Sequence, residues 1–119
     1  MIYAASFSAV ANSSNKTVTE TITLDDTAYT HAFIFINTGT DKVYTTASGS
    51  SIVDHARSVY LVSNDNTEVL LYGVRTSSGD KGQLTVKMSN NIITIKSIYN
   101  GTSFEYAYAT GSGVILAYK

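Results

Sequence analysis

The chain of 119 residues contains no cysteine, no proline and no tryptophan, and only 14% of its residues are charged. Without cysteine it can form neither a disulfide framework nor a thiolate metal site. No uninterrupted apolar stretch exceeds five residues, as at residues 32–36, and residues 1–6 lack a basic region. We therefore expect neither a membrane-spanning segment nor a signal peptide.

Charge of either sign is scarce and evenly spread. Eight Lys and Arg residues against nine Asp and Glu residues give a net charge of −1. A nucleic-acid partner bound through its phosphates is therefore disfavoured. Uncharged polar residues are abundant instead, with 16 Thr and 15 Ser. At this length we expect one domain, residues 1–119.

Strand-forming residues alternate with polar ones in short segments between clusters of Gly, Asn, Asp and Ser. This pattern predicts strands at 2–10, 17–24, 29–37, 42–47, 57–63, 67–76, 83–89, 92–98, 103–109 and 113–118. About ten short strands exceed what one open sheet of this size accommodates comfortably. We therefore predict an all-β fold, an antiparallel β-sandwich, of which a jelly roll would be one arrangement.

Two turns set the register of the last third of the chain. A two-residue type I′ turn at Asn90-Asn91 would place Met88 opposite Ile93, Val86 opposite Ile95 and Leu84 opposite Ser97. A second turn at Asn100-Gly101 would place Ile95 opposite Tyr106, Ile93 opposite Tyr108 and Lys96 opposite Glu105. The two turns agree on the buried face of the shared strand and predict a three-stranded meander over 83–109.

Residues that could support catalysis or metal binding are few. His31 shares a strand face with Tyr29, Phe33 and Phe35, where a hydrogen-bonded structural histidine is expected. Asp54 and His55 are neighbours that could pair only in a loop. Most carboxylates fall in predicted turns, where Asp is favoured for backbone reasons. We therefore predict no enzyme activity, no cofactor and no metal site.

Three glycine- or asparagine-rich segments resemble functional loops only partly. Residues 111–113 lack the G-x-S-x-G pattern of a nucleophile elbow and are interpreted as a connector between strands. Residues 79–82 lack the spacing of a phosphate loop, and residues 64–68 lack the spacing of an EF-hand. Hairpin loops account for both segments.

Carbohydrate binding is the more specific functional hypothesis for the tyrosines of this chain. Lectin sites on β scaffolds combine aromatic rings with polar groups on loops, and Tyr29, Tyr44, Tyr99 and Asn100 could supply them. Tyrosine is also simply a good strand residue, so both interpretations stay open.

The chain resembles the small all-β virion proteins of tailed bacteriophages. The resemblance lies in its Thr, Ser, Asn and Tyr content, its lack of Cys, the segment 99–106 and the terminal strand 114–119. Decoration proteins, head fibres and tail-fibre tip domains belong to this group. The resemblance implies a non-enzymatic structural or attachment role on a capsid or tail, contacts with other virion proteins, and commonly a homotrimer. A carbohydrate-binding module that recognises host glycans is the alternative.

Several strands are apolar on both faces, whereas a strand of a sandwich needs only one apolar face. We therefore expect a homo-oligomer, with a trimer as the form implied by the resemblance. Its predicted interface comprises Phe33, Phe35, Tyr60, Val62, Val69 and Leu71.

Overall fold

The computed structural model describes residues 2–45, 49–76, 79–101 and 105–119, which form nine strands. The strands are β1 (Ile2–Ala9), β2 (Thr17–Thr23), β3 (His31–Thr45), β4 (Gly49–Asp54), β5 (Ser58–Ser63), β6 (Val69–Thr76), β7 (Gly79–Ser89), β8 (Ile92–Gly101) and β9 (Glu105–Tyr118). They form one curled antiparallel sheet, which confirms the predicted all-β, sandwich-like fold. Within the described ranges no helix is long and apolar enough to cross a membrane.

The curled sheet folds into two facing layers. The first layer has the order β5, β3, β9, β1, and the second has the order β2, β8, β7, β6. Strand β8 joins the layers, because it pairs with β2 and β7 along residues 92–98 and with β9 at residues 99–101. Strand β4 pairs with the far half of β3 and extends the first layer there.

The hydrophobic core lies between the two layers. The larger of its fully buried apolar side chains are Tyr29, Ile34, Ile36, Val62, Leu84, Val86, Met88, Ile93, Ile95 and Ile115. Complete burial of a side chain of this size contributes about 1.5–3 kcal/mol. The alternation of these positions along β3, β8 and β9 explains why the period-two pattern predicted strands.

Two long strands replace four predicted short ones. The predicted strands 29–37 and 42–47 both fall in β3, except for residues 29–30, which precede it. The predicted strands 103–109 and 113–118 both fall in β9. Residues 46–47 and 103–104 lie outside the described residues. Strand β3 continues through a β-bulge between Ile36 and Thr38, where one extra residue shifts the register against β9. Strand β4 was not predicted.

The glycine-rich segments also lie within strands. Residues 111–113, predicted as a connector, belong to the middle of β9, and residues 79–82, predicted as a hairpin loop, begin β7. The residues that join β6 to β7, 77–78, lie outside the described residues. Glycine was interpreted as a strand end in both places, although it can also mark a bulge or a close approach of two backbones.

The predicted register of the β7–β8 hairpin is confirmed. Met88 lies opposite Ile93, Val86 opposite Ile95 and Leu84 opposite Ser97. The type I′ turn is wrong, because that turn needs positive φ at both central residues and only Asn90 has it, at 56°.

The predicted register of β8 against β9 is wrong. Tyr99, not Ile93, lies opposite Tyr108, and Gly101, not Ile95, lies opposite Tyr106. The prediction placed the turn at residues 100–101, whereas both of these residues belong to β8. The longer strand brings Tyr99 beside two tyrosines of β9.

Candidate functional site

Four tyrosines with nearly parallel rings cover the outer face of the first layer beyond the bulge. Tyr44 lies on β3, Tyr99 on β8, and Tyr106 and Tyr108 on β9. The Tyr106 ring centroid is 5.1 Å from that of Tyr44, 6.0 Å from that of Tyr99 and 6.5 Å from that of Tyr108. The planes of these pairs differ by 21°, 13° and 4°. We call this group the tyrosine cluster.

Strand register explains why these rings meet. Tyr44 pairs with Tyr106 across β3 and β9, and Tyr99 pairs with Tyr108 across β8 and β9. Directly paired residues project from the same face of a sheet. On the opposite face of β9, Ala107 and Ala109 are completely buried. The alternation of tyrosine with alanine therefore separates an outer aromatic face from an inner packed face.

A groove of about 500 Å³ runs beside three of these rings. Its lining consists of Val10, Ala11, Asn12, Ser13, Thr40, Tyr99, Tyr106, Tyr108 and Thr110. Thr40 and Thr110 are paired on β3 and β9, so their side chains lie on the same face as the tyrosines. The volume falls within the range of about 300–1,000 Å³ that is usual for small-molecule sites. None of the lining residues is acidic.

Hydrogen bonds fix the loop that forms one wall of the groove. The Asn12 Oδ1 atom accepts hydrogen bonds from the Ser14 and Asn15 amides at 2.9 and 2.8 Å. At the base of the loop, the Ala11 amide donates to Ser97 Oγ at 3.0 Å, and the Tyr99 amide donates to the Lys16 carbonyl at 2.8 Å. The wall is therefore organised before any ligand arrives.

One cation lies against the tyrosine cluster. The Lys42 Nζ atom is 5.5 Å from the centroid of the Tyr106 ring, a cation–π distance. A hydrogen bond to the Tyr106 hydroxyl raises the pKa of Lys42 above its ordinary value. Lys42 therefore carries its charge at neutral pH beside the tyrosine cluster, although it does not line the groove.

The structure brings together two of the four residues predicted for glycan contact. Tyr44 and Tyr99 belong to the tyrosine cluster, whereas Asn100 is exposed beside it on β8 and does not line the groove. Tyr29 is only 1% exposed and lies in the core, which corrects its assignment to a surface site. Its hydroxyl donates to Asp25 Oδ1 at 2.7 Å, and this bond raises the pKa of Tyr29 to about 12.

Sequence reasoning missed Tyr106 and Tyr108 as site residues. They were predicted to lie on the buried face of the meander because the register of β8 against β9 was taken from a turn that is not there. The signal that could have found them is their alternation with two alanines along the same strand. Small alanine side chains suit the close-packed inner face of the sheet, which leaves the tyrosines on the outer face.

His31 has the structural role that its strand position predicted. Its ring stacks on Tyr118 at 5.3 Å and meets the edge of Phe33 at 5.7 Å. Its Nδ1 atom is 2.9 Å from Thr30 Oγ1. Aromatic packing and one local hydrogen bond account for this side chain.

The second histidine forms a cluster that the sequence did not predict. His55 follows β4 and stacks on Tyr72 with ring centroids 3.8 Å apart. Its Nε2 atom is 3.9 Å from Asp41 Oδ2, which is too long for a hydrogen bond. Burial raises the pKa of Asp41, while the proximity of His55 opposes that rise.

This cluster lacks the arrangement of a catalytic site. The Tyr72 hydroxyl donates to the Thr110 carbonyl at 2.5 Å, and burial raises its pKa. Its proton is therefore held by the backbone and is not shared with His55. Nowhere in the described part of the chain do three or more His, Cys, Asp or Glu side chains converge as metal ligands would.

The six residues predicted for the oligomer interface do not share one face. Phe33 and Phe35 lie on the outer face of the first layer, but Val62 is 1% exposed and Tyr60 packs against the core. The exposed apolar residues of β5 are their neighbours, Val59 and Leu61, at 53% and 59%. The prediction therefore inverted the faces of β5.

The other two predicted residues belong to the second layer. Val69 is 37% exposed on β6, and Leu71 packs against the core. Register shifts between Leu70 and Tyr72 interrupt the alternation that would have placed them on one face.

Comparison of the chain with protein-family models, with curated proteins and with solved structures found no match. The groove and the surface of the molecule are therefore the features that indicate a function.

Proposed function

We propose that this chain is a non-enzymatic attachment module that binds carbohydrate in the groove beside the tyrosine cluster. The observation that carries the proposal is the set of nearly parallel tyrosine rings next to a groove with hydroxyl and amide groups. Aromatic rings offer a flat apolar surface with a polar tip, and the hydroxyl groups add hydrogen-bonding capacity. A sugar ring is complementary to such a site, because it has apolar C–H faces and polar hydroxyl edges.

The polar groups of the groove suit the hydroxyl edge of a sugar. Thr40 and Thr110 carry hydroxyls that both donate and accept hydrogen bonds. Because Asn12 Oδ1 already accepts two amides of its own loop, Asn12 would bind a ligand through its Nδ2 group. A small number of polar groups in a largely apolar site is the usual arrangement that fixes the orientation of a small ligand.

Single-stranded nucleic acid also stacks on aromatic rings, but the charge of the chain disfavours it. Such proteins combine stacking with a positively charged groove that follows the backbone phosphates. Here the net charge is −1, and none of the residues that line the groove is basic. A neutral or weakly acidic saccharide fits this surface better.

Hydrolysis of the bound sugar would need paired carboxylates on either side of the scissile bond. Among the residues that the structure describes, no Asp or Glu lines the groove. The absence of acidic residues from the lining supports a binding role, and the resemblance to virion attachment proteins agrees with it. Tail-fibre tip domains are the part of that group whose role the groove suits best.

Replacement of a central tyrosine tests the proposal. We expect a glycan array of bacterial surface and host oligosaccharides to give reproducible hits with the full chain. Titration calorimetry with a soluble hit should then show about a 10- to 100-fold loss of affinity for Tyr108→Ala, because one stacking partner contributes on the order of 1–3 kcal/mol. We expect a similar loss of affinity for Tyr99→Ala.

Tyr118→Ala is the matched control, since Tyr118 lies on the same face of β9 but far from the groove. Its affinity for the same monovalent oligosaccharide should equal that of the wild-type chain. An array without hits, or a Tyr108→Ala variant that is folded and binds unchanged, would contradict the proposal.

A further inference from the structure

The other half of the first layer presents an exposed apolar surface in three regular rows. One row crosses the sheet through Leu61, Phe33, Leu116 and Ala4; the next passes through Val59, Phe35, Val114 and Ser6; the third passes through Ser63, His31, Tyr118 and Ile2. We call these twelve positions the apolar face. It contains no Asp, Glu, Lys or Arg.

This surface is not part of the core. Ile2, Val59 and Leu61 are 55%, 53% and 59% exposed, and Phe35 is 37% exposed. The opposite face of the same strands already packs against the second layer through Ala32, Ile34, Ile36, Ile115 and Ala117. Residues on the apolar face therefore have no internal partner layer.

The size of the apolar face suits the centre of a protein interface. With strands about 4.8 Å apart and same-face residues about 6.7 Å apart, twelve positions cover about 400 Å². The largest apolar patch on a typical monomer covers about 300–600 Å², and a patch of this kind is often a functional surface. A stable interface buries about 800 Å² per partner, with an apolar centre and a polar rim. Ser8, Thr38 and Ser112 form the next row and provide uncharged rim positions.

The composition of the apolar face favours a second copy of this chain as its occupant. Because this surface has no charged residue, two copies can pack on it without like-charge repulsion and without burial of an unpaired charge. A sheet face that packs on its own copy forms an isologous contact, which closes as a two-fold dimer. Sheets packed face to face lie about 10 Å apart with interleaved side chains, as they do inside a sandwich.

We infer that two copies of this chain form a dimer through their apolar faces. The dimer differs from the trimer expected from the virion resemblance, because a self-complementary face pairs two chains and leaves no second patch for a third. The inference is independent of carbohydrate binding, since the groove lies on the other side of the bulge in β3.

Sedimentation velocity and light scattering of the full chain test this inference. We expect a mass near 12.8 kDa at low concentration and a rise to twice that value at higher micromolar concentration. Leu61→Asp should weaken the dimer by about 100-fold or more, because it would bury an unpaired charge from each chain. Leu61 is exposed on an edge strand, so the variant should keep the wild-type circular dichroism spectrum and melting temperature.

Ile92→Asp is the matched control. Ile92 is an exposed apolar residue, at 41%, but it lies on the second layer, so its substitution should leave the dimer unchanged. Val59→Lys is a second interface variant with the opposite charge and should also give monomers.

The inference would be overturned by a wild-type chain that stays monomeric at submillimolar concentration, by a mass of three chains, or by a folded Leu61→Asp variant with an unchanged dissociation constant. Binding of a monomeric chain to phosphatidylcholine vesicles would assign the face to a lipid surface and would likewise overturn it.

Discussion

At the scale of single residues, the most unusual feature is the partly buried pair of Asp41 and His55, whose side chains are 14% and 20% exposed. Asp41 Oδ1 and His55 Nε2 are both buried and have no hydrogen-bond partner among the described residues. A buried polar atom without a partner costs about 1–3 kcal/mol. The pair therefore packs the end of the core at a cost to stability, and the stacking of His55 on Tyr72 offsets part of it.

Replacement of the carboxylate should stabilise the fold. Because burial raises the pKa of Asp41, the folded chain binds this proton more tightly than the unfolded chain does. The ionised form is therefore disfavoured in the fold, and stability at this site is lost as the pH rises through the folded pKa. We expect Asp41→Asn to raise the free energy of unfolding at neutral pH by about 1 kcal/mol.

The gain from Asp41→Asn should shrink as the pH falls and should vanish below the ordinary Asp value of 3.8. Urea unfolding over a series of pH values measures it. Asp65→Asn is the control, because the exposed Asp65 accepts only from the Thr67 amide, which an amide oxygen can replace. A loss of stability for Asp41→Asn at neutral pH would show instead that the charge attraction to His55 outweighs burial.

The sequence indicated both histidines as candidates but could not have paired His55 with Asp41. The two residues meet because the β3–β4 hairpin places Asp41 opposite Val53, two residues before His55. Strand β4 was not predicted, so the register of this hairpin was not known. Without that register the sequence does not show which residues face each other.

At the scale of elements, β3 and β9 carry both candidate surfaces, and the bulge in β3 separates them. Before the bulge the even-numbered residues Ala32, Ile34 and Ile36 are buried, whereas after it Gly39 is buried. The extra residue thus changes which side chains of β3 face outward. The paired strand β9 keeps one alternation throughout, with every odd-numbered residue from 107 to 117 buried.

The bulge depends on glycine in the partner strand. Gly113 lies opposite Ile36, and a Cβ atom at this position would overlap the Phe35 carbonyl oxygen. We expect Gly113→Ala to lower the free energy of unfolding by about 2 kcal/mol or more, because the two backbones would have to separate. Thermal and urea unfolding measure the effect.

Ser112→Ala is the control for that substitution, since Ser112 points to the outer face. It should change stability by less than about 0.5 kcal/mol. If Gly113→Ala has wild-type stability, the backbones of β3 and β9 are not in close contact at the bulge.

Local patterns predicted elements well where a short turn and face alternation agreed. The β7–β8 register is correct because one two-residue turn and two apolar faces fix it together. The β8–β9 register failed because Asn100 and Gly101 have a turn composition but lie in a strand. Glycine and asparagine mark turns only on average, and close packing of backbones also requires glycine.

At the scale of the whole molecule, the two candidate surfaces lie at opposite ends of an elongated layer. The chain measures 50 × 24 × 23 Å, and β9 runs through both the tyrosine cluster and the apolar face. The composition and the period-two alternation of apolar residues predicted the all-β class, and they indicated that several strands are apolar on both faces. They could not predict which face is covered, because that depends on how β8 joins the two layers.

One buried serine adds side-chain hydrogen bonds to the joint between the layers, where β8 also pairs with β9 at residues 99–101. Ser97 is completely buried on β8; its Oγ atom donates to the Ala109 carbonyl at 2.6 Å and accepts from the Ala11 amide at 3.0 Å. It therefore ties the second layer to β9 and to the loop that walls the groove.

Ser97→Ala should affect stability and carbohydrate binding together. The Ala11 amide and the Ala109 carbonyl would both lose a buried partner, and we expect the free energy of unfolding to fall by about 1–3 kcal/mol. The loop at residues 10–13 would be less firmly placed, so the affinity for an oligosaccharide should also fall. The dimer should be unchanged, because Ser97 is not on the apolar face.

Urea unfolding, calorimetry with the oligosaccharide and sedimentation of the same preparation separate these effects. Ser8→Ala, at an exposed serine of β1, should match the wild-type chain in stability and affinity. If Ser97→Ala has wild-type stability, the hydrogen bonds of the Ser97 hydroxyl do not stabilise the contact between the layers. Reduced stability with unchanged affinity would show that the loop is fixed by its own Asn12 hydrogen bonds and does not depend on β8.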